Sequence, residues 1–214
     1  MGNRRIRLIA ATLAMIIASP VLAASAPSQP LAFTVLRNGE PVGTNTISFR
    51  QTAAGLQVDV KTAIVVKITV IPVYRFEHEG HELWQDGHLV SLRSVTNDDG
   101  TPHQLAVDAK GDMLDVKGDG YTGPAALGSI PGSLWNPAVP RQSTLLNSLD
   151  GKLMQVVTKD LGEETLTVRG TSSKARHYVV EGDLKRDLWY DSEGALVQIH
   201  LKAKDDSDIL YVLR

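Results

Sequence analysis

The densest group of side chains that could do chemistry is the segment EHEGHELWQDGH, residues 77–88. It contains three of the six histidines of the chain together with four carboxylates. Imidazole and carboxylate groups bind zinc or copper, and they also act as general acids and bases. Whether this segment does either depends on how the fold arranges these side chains.

A metal site would require the histidines to share a face. If Glu79 and Gly80 form a two-residue hairpin turn, His78 and His81 become a directly opposed cross-strand pair. Two imidazoles at that separation could hold zinc or copper with a third ligand. The spacing indicates no third ligand, and a solvated histidine pair beside a turn is the simpler interpretation. No metal and no cofactor are therefore predicted.

A looser copy of this segment lies near the C-terminus. ELWQDGHLVSLRSVTNDDG at residues 82–100 is echoed by DLWYDSEGALVQIHLKAKDDSD at residues 187–208, with Trp84 matching Trp189. The shared tryptophan, aspartate and glycine are what a strand, a tight turn and a second strand require. The histidines of the first copy are not repeated at matching positions, so they are interpreted as local features.

Other catalytic signals are weak throughout the chain. GSIPG at residues 128–132 is not a nucleophile elbow, because its serine is in the wrong place. The acidic runs at residues 98–100 and 205–208 lack the spacing of a calcium loop and are typical of turns. No phosphate-binding or dinucleotide-binding loop is present. No catalytic residue is predicted, and an enzyme is the least favoured class of function.

The N-terminus has the pattern of a signal peptide. Arg4, Arg5 and Arg7 precede an apolar run at residues 8–18, and small residues lead to Ala23. We expect cleavage after Ala23 and a periplasmic or secreted domain formed by residues 24–214. The apolar run is short for a transmembrane helix and there is no cysteine for a lipid anchor, so no membrane anchor is expected after cleavage.

The composition of the mature domain does not favour nucleic acid as a partner. Loss of the three arginines moves the formal charge from −2 to −5, and no basic patch favours nucleic acid. The chain contains no cysteine, so packing rather than disulfides must hold an exported fold together. A chain of this length is most simply a single domain.

The pattern of the mature chain predicts a mainly β fold. Glycine-containing turn signals separate segments rich in Val, Ile, Leu and Thr, which is typical of an antiparallel meander. Even-numbered residues from Leu56 to Phe76 are mostly apolar, which indicates extended chain with one buried face. A break is expected near Ile71-Pro72 because the run exceeds an ordinary strand. We expect a single strongly curved antiparallel sheet, a half-barrel or open barrel.

A long crossover is predicted at residues 121–150, which are rich in proline and glycine. One or two short helices are expected there, the best candidate being residues 143–149 before the Asp150-Gly151 turn. A segment of that length inside a compact domain often serves as a lid or a plug.

Several segments carry a family resemblance: FTVLRNGEPVGTNTISF, VYRFEHEGHELWQDGHLVSLRS, SLWNP and LWYDSEGALVQIHLKAKDDSDILYVL. Through them nearly the whole mature chain resembles an uncharacterised, domain-of-unknown-function family of exported bacterial proteins. The layout is more distantly similar to the LolA and LolB lipoprotein carriers. That similarity implies a curved sheet whose concave face is closed by short helices and holds acyl chains, and it implies no catalytic residues.

Two functions are expected from these patterns. The first is an exported binding protein that holds an aliphatic or lipid-like ligand on the concave face. The alternative is a cell-envelope interaction or structural protein with a filled core. The three tryptophans have two interpretations, as residues that line a ligand site or as residues that pack within the core. The residues expected to line the ligand site are Val66, Ile68, Val70, Tyr74, Phe76, Trp84, Trp135 and Trp189.

Overall fold

The chain folds as one large β-sheet. A computed structural model describes residue 27 and residues 29–214. Within them fifteen strands form a single sheet, antiparallel apart from one short parallel pair. This confirms the predicted mainly β class and the antiparallel sheet. The signal peptide predicted at residues 1–23 lies outside the described residues. Within the described part of the chain, no helix is long and apolar enough to cross a membrane.

The strands follow one another along the chain with short turns between most of them. In chain order they are β1 Leu31–Arg37, β2 Glu40–Thr52, β3 Gly55–Ile68, β4 Ile71–Gln85, β5 His88–Asp98, β6 Thr101–Lys110, β7 Met113–Gly118, β8 Thr122–Ala126, β9 Ile130–Pro131, β10 Thr144–Leu146, β11 Leu153–Val168, β12 Thr171–Gly182, β13 Arg186–Asp191, β14 Leu196–Lys202 and β15 Asp208–Leu213.

The order of the strands places both chain ends of the domain at the middle of the sheet. β1 pairs with β15, with Phe33 opposite Leu213, and β8 and β9 are the two edge strands. Only residues 127–129 separate these edge strands in the chain. A connection of that length spans at most about 14 Å, so the two edges lie near each other where this connection joins them.

The extended chain predicted at residues 56–76 is confirmed as the β3–β4 hairpin, but the predicted buried face is not continuous, because Ile68 and Val70 are mostly exposed. Val58, Val60 and Thr62 are buried on the face that we call the inner face, against which the crossover packs. The chain turns at residues 69–70, close to the predicted break. Residues 65–75 extend beyond the last pairs that neighbouring strands make with this hairpin, so its tip projects from the sheet.

Two local predictions are wrong. Residues 79 and 80 form no turn, because they lie in the middle of the continuous strand β4. Residues 143–149 form no helix: β10 occupies their centre, with Leu145 opposite Met154 of β11 and fully buried. Strand pairing and burial override weak capping signals there. One 3-10 helix, Val139–Arg141, lies inside the predicted crossover.

The crossover between β8 and β11 packs tightly on the inner face. Ser94 Oγ of β5 donates to the carbonyl oxygen of Ser148 over 2.6 Å. Tyr190 Oη of β13 donates to the carbonyl oxygen of Leu134 over 2.7 Å. Trp135 lies between these contacts and is 2% exposed. The crossover therefore connects to both halves of the sheet.

Candidate functional site

Five of the eight residues predicted to line a ligand site lie together on the β3–β4 hairpin. Val66, Tyr74 and Phe76 are half-buried, whereas Ile68 is 66% and Val70 is 78% exposed. Ile71 and Val73 are also exposed at the tip. The hairpin thus carries an apolar strip, which we call the hairpin strip and define by these seven residues: Val66, Ile68, Val70, Ile71, Val73, Tyr74 and Phe76.

Trp84 and Trp135 meet on the inner face near the end of β4 that is far from the hairpin tip. Their ring centroids are 5.4 Å apart with the rings nearly perpendicular, and Phe49 packs on Trp135 at 5.3 Å. Both indole N–H groups donate to Glu82 Oε2, over 2.7 Å from Trp84 and 3.0 Å from Trp135. Trp135 of the crossover therefore covers this part of the inner face.

Glu82 is a buried carboxylate, and no sequence motif predicted a special role for it. It is 3% exposed and forms no ion pair within residues 29–214. Burial raises its pKa, against the lowering effect of hydrogen bonds from Trp135, Ser133 and Trp84. The alternation of apolar and polar residues could have predicted the burial of Glu82, because the even-numbered residues of β4 face inward as far as Trp84.

Trp189 lies apart from the other two tryptophans, on the outer face. In the first hairpin Trp84 pairs with Leu89. In the second hairpin Leu196, which corresponds to Leu89, pairs with Tyr190 and not with Trp189. The two hairpins therefore differ by one residue in register. A one-residue shift turns every side chain to the other face. Trp189 consequently stacks on His177, with centroids 4.2 Å apart.

His78 and His81 lie on opposite faces of β4, so they do not form the cross-strand pair that a turn at residues 79 and 80 would have produced. His78 is buried on the inner face with Nδ1 2.7 Å from Thr96 Oγ1, and burial lowers its pKa to about 4. His81 is exposed on the outer face, 2.6 Å from Asp59. Among the residues that the structure describes, no group of three or more His, Cys, Asp or Glu could hold a metal ion.

His78 belongs to a polar row at the base of the hairpin strip. Asn45, Thr62, His78 and Thr96 occupy consecutive register positions across β2, β3, β4 and β5, and all four are buried. Asn45 Nδ2 donates to Thr62 Oγ1 over 2.7 Å. The inner face thus changes from apolar at the hairpin tip to polar at this row.

A surface depression lies on the outer face. Its volume is about 460 Å³, it is open to solvent, and Glu79, His81 and Arg93 are among its lining residues. Each of these three has an opposite charge or hydrogen-bond partner, in Lys61, Asp59 and Asp108 respectively. Val95, Leu105 and Ala106 line the same depression, so it combines paired polar groups with apolar side chains.

Comparison with known proteins assigns the family. The sequence matches a domain of unknown function, DUF6134, over residues 33–214, which includes almost all of β1 and every later strand. The chain belongs to the DUF6134 family. No curated protein matches the sequence. The expected domain-of-unknown-function family is therefore confirmed.

The outer face of the DUF6134 domain carries a row of alternating carboxylates and imidazoles across β11 to β15. His177 lies 2.9 Å from Glu164 and 3.0 Å from Asp187. His200 lies 3.1 Å from Asp187 and 2.9 Å from Asp208. An imidazole that meets carboxylates at both nitrogens can donate to both only when it is protonated.

This row predicts a pH-dependent contribution to the stability of the DUF6134 domain. Burial lowers the pKa of His200, but hydrogen bonds and charges of Asp208 and Asp187 outweigh it and raise the pKa above 6.5. The stabilisation is therefore full below pH 6.5 and lost as the pH rises through the folded pKa. We expect His200→Gln to cost up to about 1 kcal/mol at pH 5.5 and less at pH 9.

Urea denaturation at the two pH values measures this difference. His88→Gln removes an exposed imidazole at the start of β5 and serves as the matched control. An equal cost of His200→Gln at both pH values would contradict the assigned protonation.

Proposed function

We propose that the protein is an exported binding protein for aliphatic, lipid-like ligands, and that it takes them on the hairpin strip rather than on the part of the inner face that Trp135 covers. The exposed aliphatic tip carries this proposal: Ile68, Val70 and Ile71 are each at least 66% exposed. Contiguous exposed apolar surface on a soluble protein marks a site of interaction. The predicted signal peptide supports a periplasmic or secreted location for it.

The energetics suit weak, reversible binding of one aliphatic chain. Each methylene that leaves water contributes about 0.8 kcal/mol, so a ten-carbon chain gains about 7 kcal/mol. Association costs of at least about 4 kcal/mol leave at most about 3 kcal/mol, which corresponds to a dissociation constant of several millimolar or higher. The half-buried Val66, Tyr74 and Phe76 extend the contact from the tip toward the polar row.

A curved sheet would place the hairpin strip opposite the other half of the molecule. The short connection between the edge strands supports this curvature, because only three residues join β8 to β9.

A cell-envelope interaction protein with a filled core is the second candidate. The packing of Trp135 against Phe49 and Trp84 favours it, because this packing covers part of the inner face with side chains. The hairpin tip would then contact a partner protein. Crosslinking in cells to one defined neighbour, without uptake of an aliphatic probe, would favour this candidate.

The double variant Ile68→Ser/Val70→Ser tests the proposed function. Both side chains are mostly exposed, so the fold should be kept while apolar contact is lost. We expect the affinity for the neutral apolar dye N-phenyl-1-naphthylamine, measured by fluorescence titration, to fall about tenfold. Val157→Ser/Leu161→Ser is the matched control, because these β11 residues are 65% and 60% exposed. Equal losses in both variants, or no saturable dye binding by the wild type, would contradict the proposal.

A further inference from the structure

Arg186 is an arginine on the inner face without a carboxylate partner. It begins β13 and alternates along the strand with Leu188 and Tyr190, which are buried on that face. Nη1 donates to the carbonyl oxygen of Lys185 over 2.7 Å, and no carboxylate within residues 29–214 lies within 4.0 Å. A guanidinium has five N–H donors, so most of them remain for a ligand. Burial lowers the pKa of Arg186, against a smaller raising effect of Tyr211.

Arg186 differs in this respect from Arg37, the other partly buried arginine of residues 29–214. Arg37 forms an ion pair with Asp205 at 2.5 Å, whereas the remaining arginines of these residues are exposed. A charge that loses part of its water is costly without a partner, so proteins usually pair it.

Tyr211 adds a second free donor beside Arg186. The two lie on neighbouring inner-face rows, because Leu188 pairs with Ile199 and Ile199 pairs with Tyr211. Burial raises the pKa of Tyr211, and the charge of Arg186 opposes that effect. Its hydroxyl makes no hydrogen bond among the residues that the structure describes.

Both groups remain accessible to a ligand. In residues 29–214, the one fully buried side-chain polar atom without a partner is Thr158 Oγ1. The free nitrogens of Arg186 and the hydroxyl of Tyr211 therefore keep some contact with solvent. Tyr211 lies on the same inner-face row as Phe76 of the hairpin strip, because Tyr211 pairs with Val35, Val35 with Gly43, Gly43 with Ile64 and Ile64 with Phe76.

We infer that Arg186 and the Tyr211 hydroxyl bind the anionic head group, a carboxylate or a phosphate, of the aliphatic ligand. A guanidinium donates two parallel hydrogen bonds to such an oxyanion, and a tyrosine hydroxyl supplies a third donor. The inference rests on the proposed function for the aliphatic part of the ligand, which the hairpin strip would hold. It narrows the substrate class from aliphatic compounds in general to single-chain anionic amphiphiles.

Calorimetric titration with decanoate and decanol tests this head-group preference, since the two probes differ only in their heads. We expect the wild type to bind decanoate at least about tenfold more tightly than decanol. Arg186→Gln should abolish the difference, and Tyr211→Phe should reduce it about threefold. Lys185→Gln is the matched control, because it removes the same charge from the exposed neighbouring residue and should leave the preference intact.

The outcomes separate this inference from the proposed function. Equal binding of decanoate and decanol by the wild type overturns the inference and leaves the aliphatic function standing. A third outcome is that the wild type binds inorganic phosphate, Arg186→Gln abolishes this binding, and neither decanol nor the dye binds. This outcome supports the anion site and contradicts the aliphatic function. Absence of decanoate and phosphate binding overturns the inference. If circular dichroism shows that Arg186→Gln is unfolded, the wild-type preference and Tyr211→Phe decide the matter.

Discussion

Trp135→Ala is expected to lower the free energy of unfolding by about 3–5 kcal/mol. Trp135 is 2% exposed and packs against Phe49 and Trp84, so its removal leaves a cavity between the crossover and the sheet. The truncation also deprives the buried Glu82 carboxylate of one of its donors. Urea denaturation followed by the fluorescence of the two remaining tryptophans measures the loss.

Trp135→Phe provides the comparison for this first prediction. It keeps most of the apolar volume and loses only the indole N–H, so a cost of about 1–2 kcal/mol is expected. A cost below about 1 kcal/mol for Trp135→Ala would mean that the crossover is not packed on the sheet as described.

Glu82→Gln is expected to change the pH dependence of stability more than any other single substitution considered. Burial raises the folded pKa of Glu82, so its contribution to stability is full below pH 4.5 and is lost as the pH rises through that folded value. The wild type should therefore lose stability relative to Glu82→Gln as the pH rises. Within this interval the relative change approaches about 1.4 kcal/mol per pH unit.

Urea denaturation between pH 4.5 and pH 8 measures this second effect. Glu40→Gln is the control, because Glu40 is exposed and forms no ion pair in the described chain. A constant difference between the wild type and Glu82→Gln across this range would show that Glu82 has the same proton affinity in the folded and unfolded states.

Strand periodicity predicted the part of the fold that determines the hairpin strip. The even-numbered residues of β3 from Val58 to Thr62 are buried, and the turn at residues 69–70 lies close to the expected break. Such alternation is a direct consequence of the two-residue repeat of a strand with one buried face. Projection of the tip beyond the neighbouring strands was not predictable, because it depends on where those strands end.

Glycine and cap signals were misleading where pairing decided the structure. Gly80 continues β4 instead of forming a turn, and a Cβ there would lie 3.2 Å from His78 Nε2, so a small residue suits this position. Residues 143–149 contain strand β10 instead of the predicted helix, because Leu145 pairs with Met154 of β11. Long-range pairing of this kind leaves no mark in a short window of sequence.

The candidate site was predicted in part. The hairpin residues of the ligand prediction lie together, but all three tryptophans are buried, Trp84 and Trp135 on the inner face and Trp189 against His177. The face of Trp189 depends on the register of β13 and β14, in which Leu196 pairs with Tyr190. Arg186 gave no sequence signal, because its lack of a partner is a property of the assembled sheet.

Photo-crosslinking with a diazirine-bearing decanoate tests the central claim most directly, because it locates the bound chain on the protein. We expect adducts, identified by peptide mass spectrometry, within residues 64–76, and we expect unlabelled decanoate to suppress them. Saturable adducts confined to the crossover at residues 121–150 or to the outer face, with none on the hairpin, would contradict the account.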